Sequence, residues 1–217
     1  MFCLRLSFSV AVLATVGVYP LAQILPNWTA WENQPVENVG SLVLLVGMVA
    51  ALLYQHRSEE RKWKWLWRAA APLWLILLAR ELSWGAVFYP PTQMTNDGPI
   101  FSSDHLWYKP VVYPLVALIG VAVVYIVMRH RLVDKAADVI RAGAAPWLEA
   151  LLALICVAVA TIAEGHGGVL NGWIGGHSML IEELAELAAA LWLFAGQARV
   201  RAFQLKESRT GDLLRTS

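Results

Sequence analysis

The nineteen residues Pro110–Met128 (PVVYPLVALIGVAVVYIVM) hold no charged side chain and are bracketed by Lys109 and Arg129. A helix advances about 1.5 Å per residue, so roughly 20 mostly apolar residues are needed to cross a hydrocarbon core of about 30 Å. This stretch comes close to that length, and working outward from it finds five more of the same kind, at 5–25, 38–55, 69–89, 147–165 and 178–198. The composition agrees. Of 217 residues, 58% are apolar and 15% charged, whereas soluble domains average about 25% charged. The spacing predicts an all-α, polytopic helical membrane bundle of about six transmembrane helices, forming one integral membrane domain over residues 1–217. The longest outer connector, 90–109, is too small to fold alone.

Residues 5–25 follow a weakly basic start, as a signal peptide would. The run is long, ends in Pro20 and Pro26 and lacks a small-x-small cleavage site, so it reads as a retained span. Cys3 and Cys156 are the only cysteines, one at the N-terminus and one inside a span, which argues against a disulfide or a thiolate metal site.

Charge sets the expected orientation. Fifteen of the 17 Lys and Arg fall in the start, in 56–68, in 129–146 and in the tail; the other two are Arg80 and Lys109. Basic residues are retained in the cytoplasm, so both termini are expected inside (N-in/C-in) and the remaining loops outside. In a bacterial cell this is the inner membrane, with the outer loops in the periplasm. The lipid bilayer is then the expected partner, and other membrane proteins are the candidate protein partners. Nucleic acid is not expected: Arg61-Lys-Trp-Lys-Trp-Leu-Trp-Arg68 reads as an interfacial anchor, with indoles at headgroup level and cations facing anionic lipid.

The acids are distributed oppositely. Seven accompany the fifteen inner cations, while nine accompany only Arg80 and Lys109. Asp and Glu contribute little to topology, and an ionised side chain at mid-bilayer costs about 2.5–3.5 kcal/mol. Acids within spans therefore call for a partner or a function. The sixth span opens His177-Ser-Met-Leu-Ile-Glu182-Glu183-Leu-Ala-Glu186. At about 100° per residue the three glutamates share an arc of roughly 100°. Either some of them carry protons or a cation sits among them. Complementing the helix dipole accounts for Glu182 and Glu183 but not for Glu186, which lies more than a turn further in.

The third span ends in Arg80-Glu81-Leu-Ser83-Trp84-Gly85. Adjacent helical residues point about 100° apart, so Arg80 is expected to reach a carboxylate of a neighbouring span rather than Glu81. Glu37 opens the second span, where a carboxylate suits the positive end of the helix, and Asn33 and Asn38 serve as caps or ligand contacts. Glu164 and His166 close the fifth span. Three histidines, His105, His166 and His177, lie on the outer side. Imidazole with carboxylate is the ligand mix of zinc and of non-haem iron or manganese, so a divalent metal ion is the candidate cofactor. No His-x-x-x-His spacing makes it specific. Gly165, Gly167, Gly168, Gly172, Gly175 and Gly176 surround Trp173 in the fifth outer connector, as in a flap over an outward pocket or an ordinary tight turn.

The segment Glu81-Leu-Ser83-Trp84-Gly85 resembles an acid-x-Ser-Trp-Gly segment of uncharacterised bacterial multi-pass membrane proteins, and the pair Glu182-Glu183 is similar to the end of some of those chains. The resemblance implies a membrane bundle and brings no activity. Intramembrane CAAX-type proteases also carry a Glu-Glu pair, but their pattern continues with an Arg and later histidine motifs; here Glu186 stands three after Glu183 and no span follows. A microbial rhodopsin is excluded by the lack of a Lys within a span.

Three function classes follow. In the first, an outward-facing site binds a metal or ligand and acts on lipid or envelope substrates, with Glu81, Glu182, Glu186 and Arg80 as catalytic candidates. Glu37, Glu164 and Glu183 are then ligand-binding candidates, and His105, His166 and His177 metal candidates. The second is a proton- or cation-coupled transporter of small solutes, and the third a non-catalytic structural or assembly subunit. Transport needs polar steps across the whole membrane, and the inner halves of these spans read as almost wholly apolar, which places the outward-facing site first.

Overall fold

The computed structural model describes residues 2–95, 98–166 and 177–216. Among these residues seven α-helices carry the fold: α1 Phe2–Ile24, α2 Pro35–Arg57, α3 Arg61–Glu81, α4 Lys109–Arg129, α5 Leu132–Arg141, α6 Trp147–Thr161 and α7 Ser178–Thr216. The described residues are thus all-α apart from one antiparallel hairpin of two short strands, β1 Gln93–Thr95 and β2 Gly98–Ile100. Among the described residues, four segments are long and apolar enough to cross a membrane: Cys3–Ile24, Asn27–Arg57, Lys109–Arg129 and Trp147–Glu164. The α3 and α7 helices are as long, but their charged residues keep them apart from those four. At about 1.5 Å per residue, 21-residue α3 still reaches roughly 30 Å.

α7 is the hub. It packs against α1, α2 and α6, while α2 also packs along α3. α4 leans on α3, α5 and the short turn Ser103–His105, and it leaves Leu118, Val121 and Val124 exposed, as a helix facing lipid tails would. The α1–α6–α7 interface is built from small residues, Ala11, Ala153, Cys156, Ala188, Ala189 and Ala195, around Trp192. Small side chains let helix backbones approach where lipid supplies no hydrophobic drive.

Every buried tryptophan among the described residues finds an acceptor for its indole N–H. Trp192 donates to Thr15 Oγ1 at 2.8 Å, Trp74 to Gln197 Oε1 at 2.6 Å, Trp67 to Gln204 Oε1 at 2.8 Å and Trp63 to Glu207 Oε2 at 2.9 Å. The last three form a ladder between antiparallel α3 and α7. Positions 67 and 74 on one helix, and 204 and 197 on the other, repeat every seven residues and so stay on one face.

This ladder corrects three expectations. Trp63 and Trp67 are not anchors at headgroup level: they are 0% and 2% exposed, because Arg61–Arg68 is the beginning of α3 rather than a loop. Trp65 does remain at the surface layer, stacked on His130 with ring centroids 3.9 Å apart. The segment after 198, expected as a tail beyond the sixth span, continues the helix, since α7 runs on to Thr216 and supplies Gln204 and Glu207. Nor is the half of the bundle below the carboxylates, expected to be almost wholly apolar, free of buried polar groups. Gln197 lies level with the middle of α2, where its Nε2 donates to the Gly47 carbonyl at 3.0 Å.

The connector 129–146 also folds, as amphipathic α5. Its buried face presents Leu132, Lys135 and Val139, and Val139 packs with Trp63 and Trp67. Lys135 is 4% exposed and donates to Glu60 at 3.0 Å and to Glu207 at 2.8 Å. Burial opposes its charge, but the bonds to Glu207 and Glu60 outweigh burial and hold the ammonium above the usual lysine range. A group whose folded pKa is raised stabilises below its unfolded pKa and stops doing so as pH rises through the folded value. The stabilisation by Lys135 is therefore constant through neutral pH and fades only in strong alkali. Lys135→Met is expected to cost about 2 kcal/mol, the scale of hydrogen bonds to charged groups, read as a lower unfolding temperature in detergent at neutral pH. An unchanged unfolding temperature would show that apolar contacts alone dock α5.

Candidate functional site

The ends of α1, α3 and α6 meet the starts of α2 and α7 at the acidic end of the bundle. Ala22, Val36, Ala163, Leu180 and Leu184 seal this end as one apolar cluster. Next to it, α2, α3 and α7 bring acids together. One carboxylate oxygen each of Glu81, Glu183 and Glu186 lies within 4.8 Å of the other two. Arg80 Nη2 stands 3.8 Å from Glu186 Oε1, an ion pair between α3 and α7. The guanidinium is mostly exposed and the Glu186 carboxylate mostly covered, so Arg80 forms a rim and Glu186 part of the interior.

Two features of α2 make room for this cluster. A Cβ at Gly40 would come within 2.8 Å of Glu81 Oε1, so only the absent side chain lets the carboxylate lie against the α2 backbone. On the same helix, Glu37 and Ser41 are four residues apart and share a face. Both are 8% exposed. Glu37 accepts a hydrogen bond from the Asn33 backbone N–H and stands within Coulomb range of Glu186 and Glu183. Ser41 Oγ is buried and has no hydrogen-bond partner among the described residues.

The third predicted span ends early. α3 stops at Glu81, and Ser83, Trp84 and Gly85 follow with φ of 46°, 58° and 95°. Such left-handed backbone is free for glycine but costs roughly 1–2 kcal/mol for each other residue. It is held by the Tyr108 hydroxyl, which donates to the Trp84 carbonyl at 2.9 Å, and a Cβ at Gly85 would meet that hydroxyl at 2.8 Å. The turn leaves Arg80 in the wall of a polar groove of about 440 Å³ shared with Ser83, Ser102, Asp104, Lys109 and Tyr113. The Lys109 ammonium, 3.3 Å from Asp104, holds that carboxyl below the usual aspartate range.

The other candidates are placed apart from the three-carboxylate group. Glu182 is within Coulomb range of Glu164, Glu186 and Arg80, while Glu164 is exposed on the π-helical turn Ile162–His166 that ends α6. His105 is exposed and lines a separate hollow of about 180 Å³ with Phe101 and Trp107. His177 immediately precedes α7 and keeps a buried Nδ1 without a partner among the described residues. The side chain of His166 and the glycine-rich connector with Trp173 lie outside what is described. Among the described residues, the group with metal-like spacing is thus all carboxylate. Gly40 and Ser41 were not singled out in the sequence. Their signal was the spacing from Glu37, three and four residues on, which puts both beside its face.

Chemically, the site offers several carboxylate oxygens, a buried hydroxyl and one cation at the rim. Carboxylate oxygens grouped within 4.8 Å of one another can reach a single hard cation, and all-oxygen donors suit Ca²⁺ or Mn²⁺. Compared with known proteins, the chain matches no family model, no curated protein and no solved structure.

Proposed function

We propose that this chain is a six-span inner-membrane protein with both termini in the cytoplasm, and that it binds a hard divalent cation between α2, α3 and α7 on the periplasmic side. The observation that carries the reading is the grouping of Glu81, Glu183 and Glu186, with oxygens within 4.8 Å of one another, beside a buried, unpartnered Ser41 hydroxyl. Three anionic groups this close repel strongly in a low dielectric, and a dication among them turns that repulsion into attraction. All-oxygen donors favour Ca²⁺, Mg²⁺ or Mn²⁺ over zinc. Arg80, exposed at the edge and lining the polar groove, would meet an anionic group of an envelope or lipid substrate.

Titrating the purified protein with Mn²⁺, monitored by electron paramagnetic resonance, tests this. One saturable site is expected, lost on Glu183→Gln. Ca²⁺ should displace the bound Mn²⁺, and the unfolding temperature should rise with either ion, because a ligand that binds only the folded state stabilises it. Unsaturable binding, unchanged by the substitution, would reject the reading.

A proton- or cation-coupled transporter is the second reading, favoured by one observation. Polar groups continue below the cluster, through Ser41 to Gln197 at the level of Gly47. Ion flux into proteoliposomes separates the two: a binding site alone carries none.

A further inference from the structure

At the basic end of the bundle, α3, α5, α6 and α7 enclose a groove of about 420 Å³. Its walls include Leu66, Ala70, Val139, Ile140, Leu193 and Gly196, a lining suited to a hydrocarbon chain. Two members of the wall are not apolar, Gln197 and Glu149, and the Gln197 amide is already bonded to the Trp74 indole and the Gly47 carbonyl. Glu149, in the first turn of α6, is 1% exposed. Its Oε1 accepts from Arg199 Nε at 2.6 Å, while its Oε2 is buried with no hydrogen-bond partner among the described residues. A buried carboxylate oxygen left unpaired is costly, and ionised carboxylates accept at both oxygens. The two terminal nitrogens of Arg199 also have no partner among the described residues, and its side chain is about a third exposed.

An acceptor that lacks a donor and a guanidinium with uncommitted N–H groups thus stand side by side at an apolar groove. The complementary ligand is a zwitterion whose cation carries N–H donors, whose anion is an oxyanion, and which bears an apolar tail. An ethanolamine phospholipid has these three parts. A choline phospholipid has the charges but no N–H to donate. Trp147, 67% exposed at the rim, is the type of side chain that settles at headgroup level.

We propose that the groove binds one ethanolamine phospholipid of the inner leaflet. Its ammonium donates to Glu149 Oε2, its phosphate meets Arg199, and one acyl chain lies along Leu66, Val139 and Leu193. The proposal shares with the functional reading only the orientation of this end toward the cytoplasm. It does not depend on the cation site.

The test is competitive. Protein in mild detergent is equilibrated with equal amounts of phosphatidylethanolamine and phosphatidylcholine of the same chain length, and retained lipid is counted by native mass spectrometry. One phosphatidylethanolamine is expected, preferred by about tenfold, the scale of one hydrogen bond to a charged group. Glu149→Gln should erase the preference. Ala136→Phe, which fills the groove from α5 and leaves the Glu149–Arg199 pair intact, should abolish retention of either lipid. Equal retention of both lipids by the native protein would overturn the proposal, as would a preference that survives both substitutions.

Discussion

Trp74→Ala is expected to cost the bundle about 3–5 kcal/mol, the range for truncating a buried tryptophan. The ring is 7% exposed and packs with Leu44, Ala71 and Ala190 at the meeting of α2, α3 and α7. It also lies flat against α2, since a Cβ at Gly47 would come within 2.7 Å of the indole. Its N–H donates to Gln197 Oε1, and Gln197 Nε2 donates to the Gly47 carbonyl. One ring therefore fills the seam and completes a three-helix hydrogen-bond chain. Alanine would leave a cavity and an unpaired buried amide oxygen together. Trp74→Phe separates the two effects by keeping most of the volume while removing the donor, for an expected loss of about 1–3 kcal/mol. At this chain length, the alanine variant should unfold roughly 10 °C or more below the native protein, as followed by near-ultraviolet circular dichroism in detergent. A shift of only a degree or two would show that the α3–α7 ladder is incidental to stability.

How much of this was readable in advance depended on what competed with the apolar signal. Pro110–Met128 has no charged residue to interrupt it, and α4 matches its predicted bounds within a residue at each end. The start of α3 was hidden because Lys and Arg interleave with Trp63 and Trp67, and alternating cations read as an interface. In the fold those tryptophans face α7 while the cations face away. The continuation of α7 past 198 was hidden for the same reason. Gln204 and Glu207 carry no hydropathy signal, and their value lies in indoles more than a hundred residues away in sequence. α5 could have been found, since Leu132, Lys135 and Val139 fall at helical spacing, but a lysine on the buried face masks the pattern.

At the acidic end, the identity of the residues was legible and their grouping was not. The arc of Glu182, Glu183 and Glu186 on one helix does not reveal which two face α3. That depends on where α2 can accept a carboxylate, and Gly40 is the position that does. The end of α3 was less legible still. Ser83 and Trp84 adopt backbone angles that their own preferences disfavour, and they are held there by Tyr108 from a separate segment. Tertiary contact overrode local preference beside the residues proposed to bind a ligand, where strained backbone tends to collect.

The second large effect concerns the ion pair at the rim. Glu186→Gln is expected to lower Mn²⁺ affinity by more than about tenfold, since it removes a ligand charge in direct contact with the dication. Arg80→Gln should do the reverse. The Arg80 guanidinium is 3.8 Å from Glu186 Oε1, so it repels any cation held by that carboxylate and competes for its lone pairs. Removing it should raise affinity by about tenfold, a gain trimmed by screening because the guanidinium faces solvent. Protons compete for the same oxygens, so in both native protein and variant the affinity should fall as the pH is lowered. A purely structural polar belt predicts a different pattern. There Arg80 would serve to neutralise the acids, and its loss would lower the unfolding temperature without creating a tighter Mn²⁺ site. The opposite signs of the two substitutions, measured in one titration, therefore separate a cation site from a packing device, and a fall in affinity on Arg80→Gln would decide against the cation site.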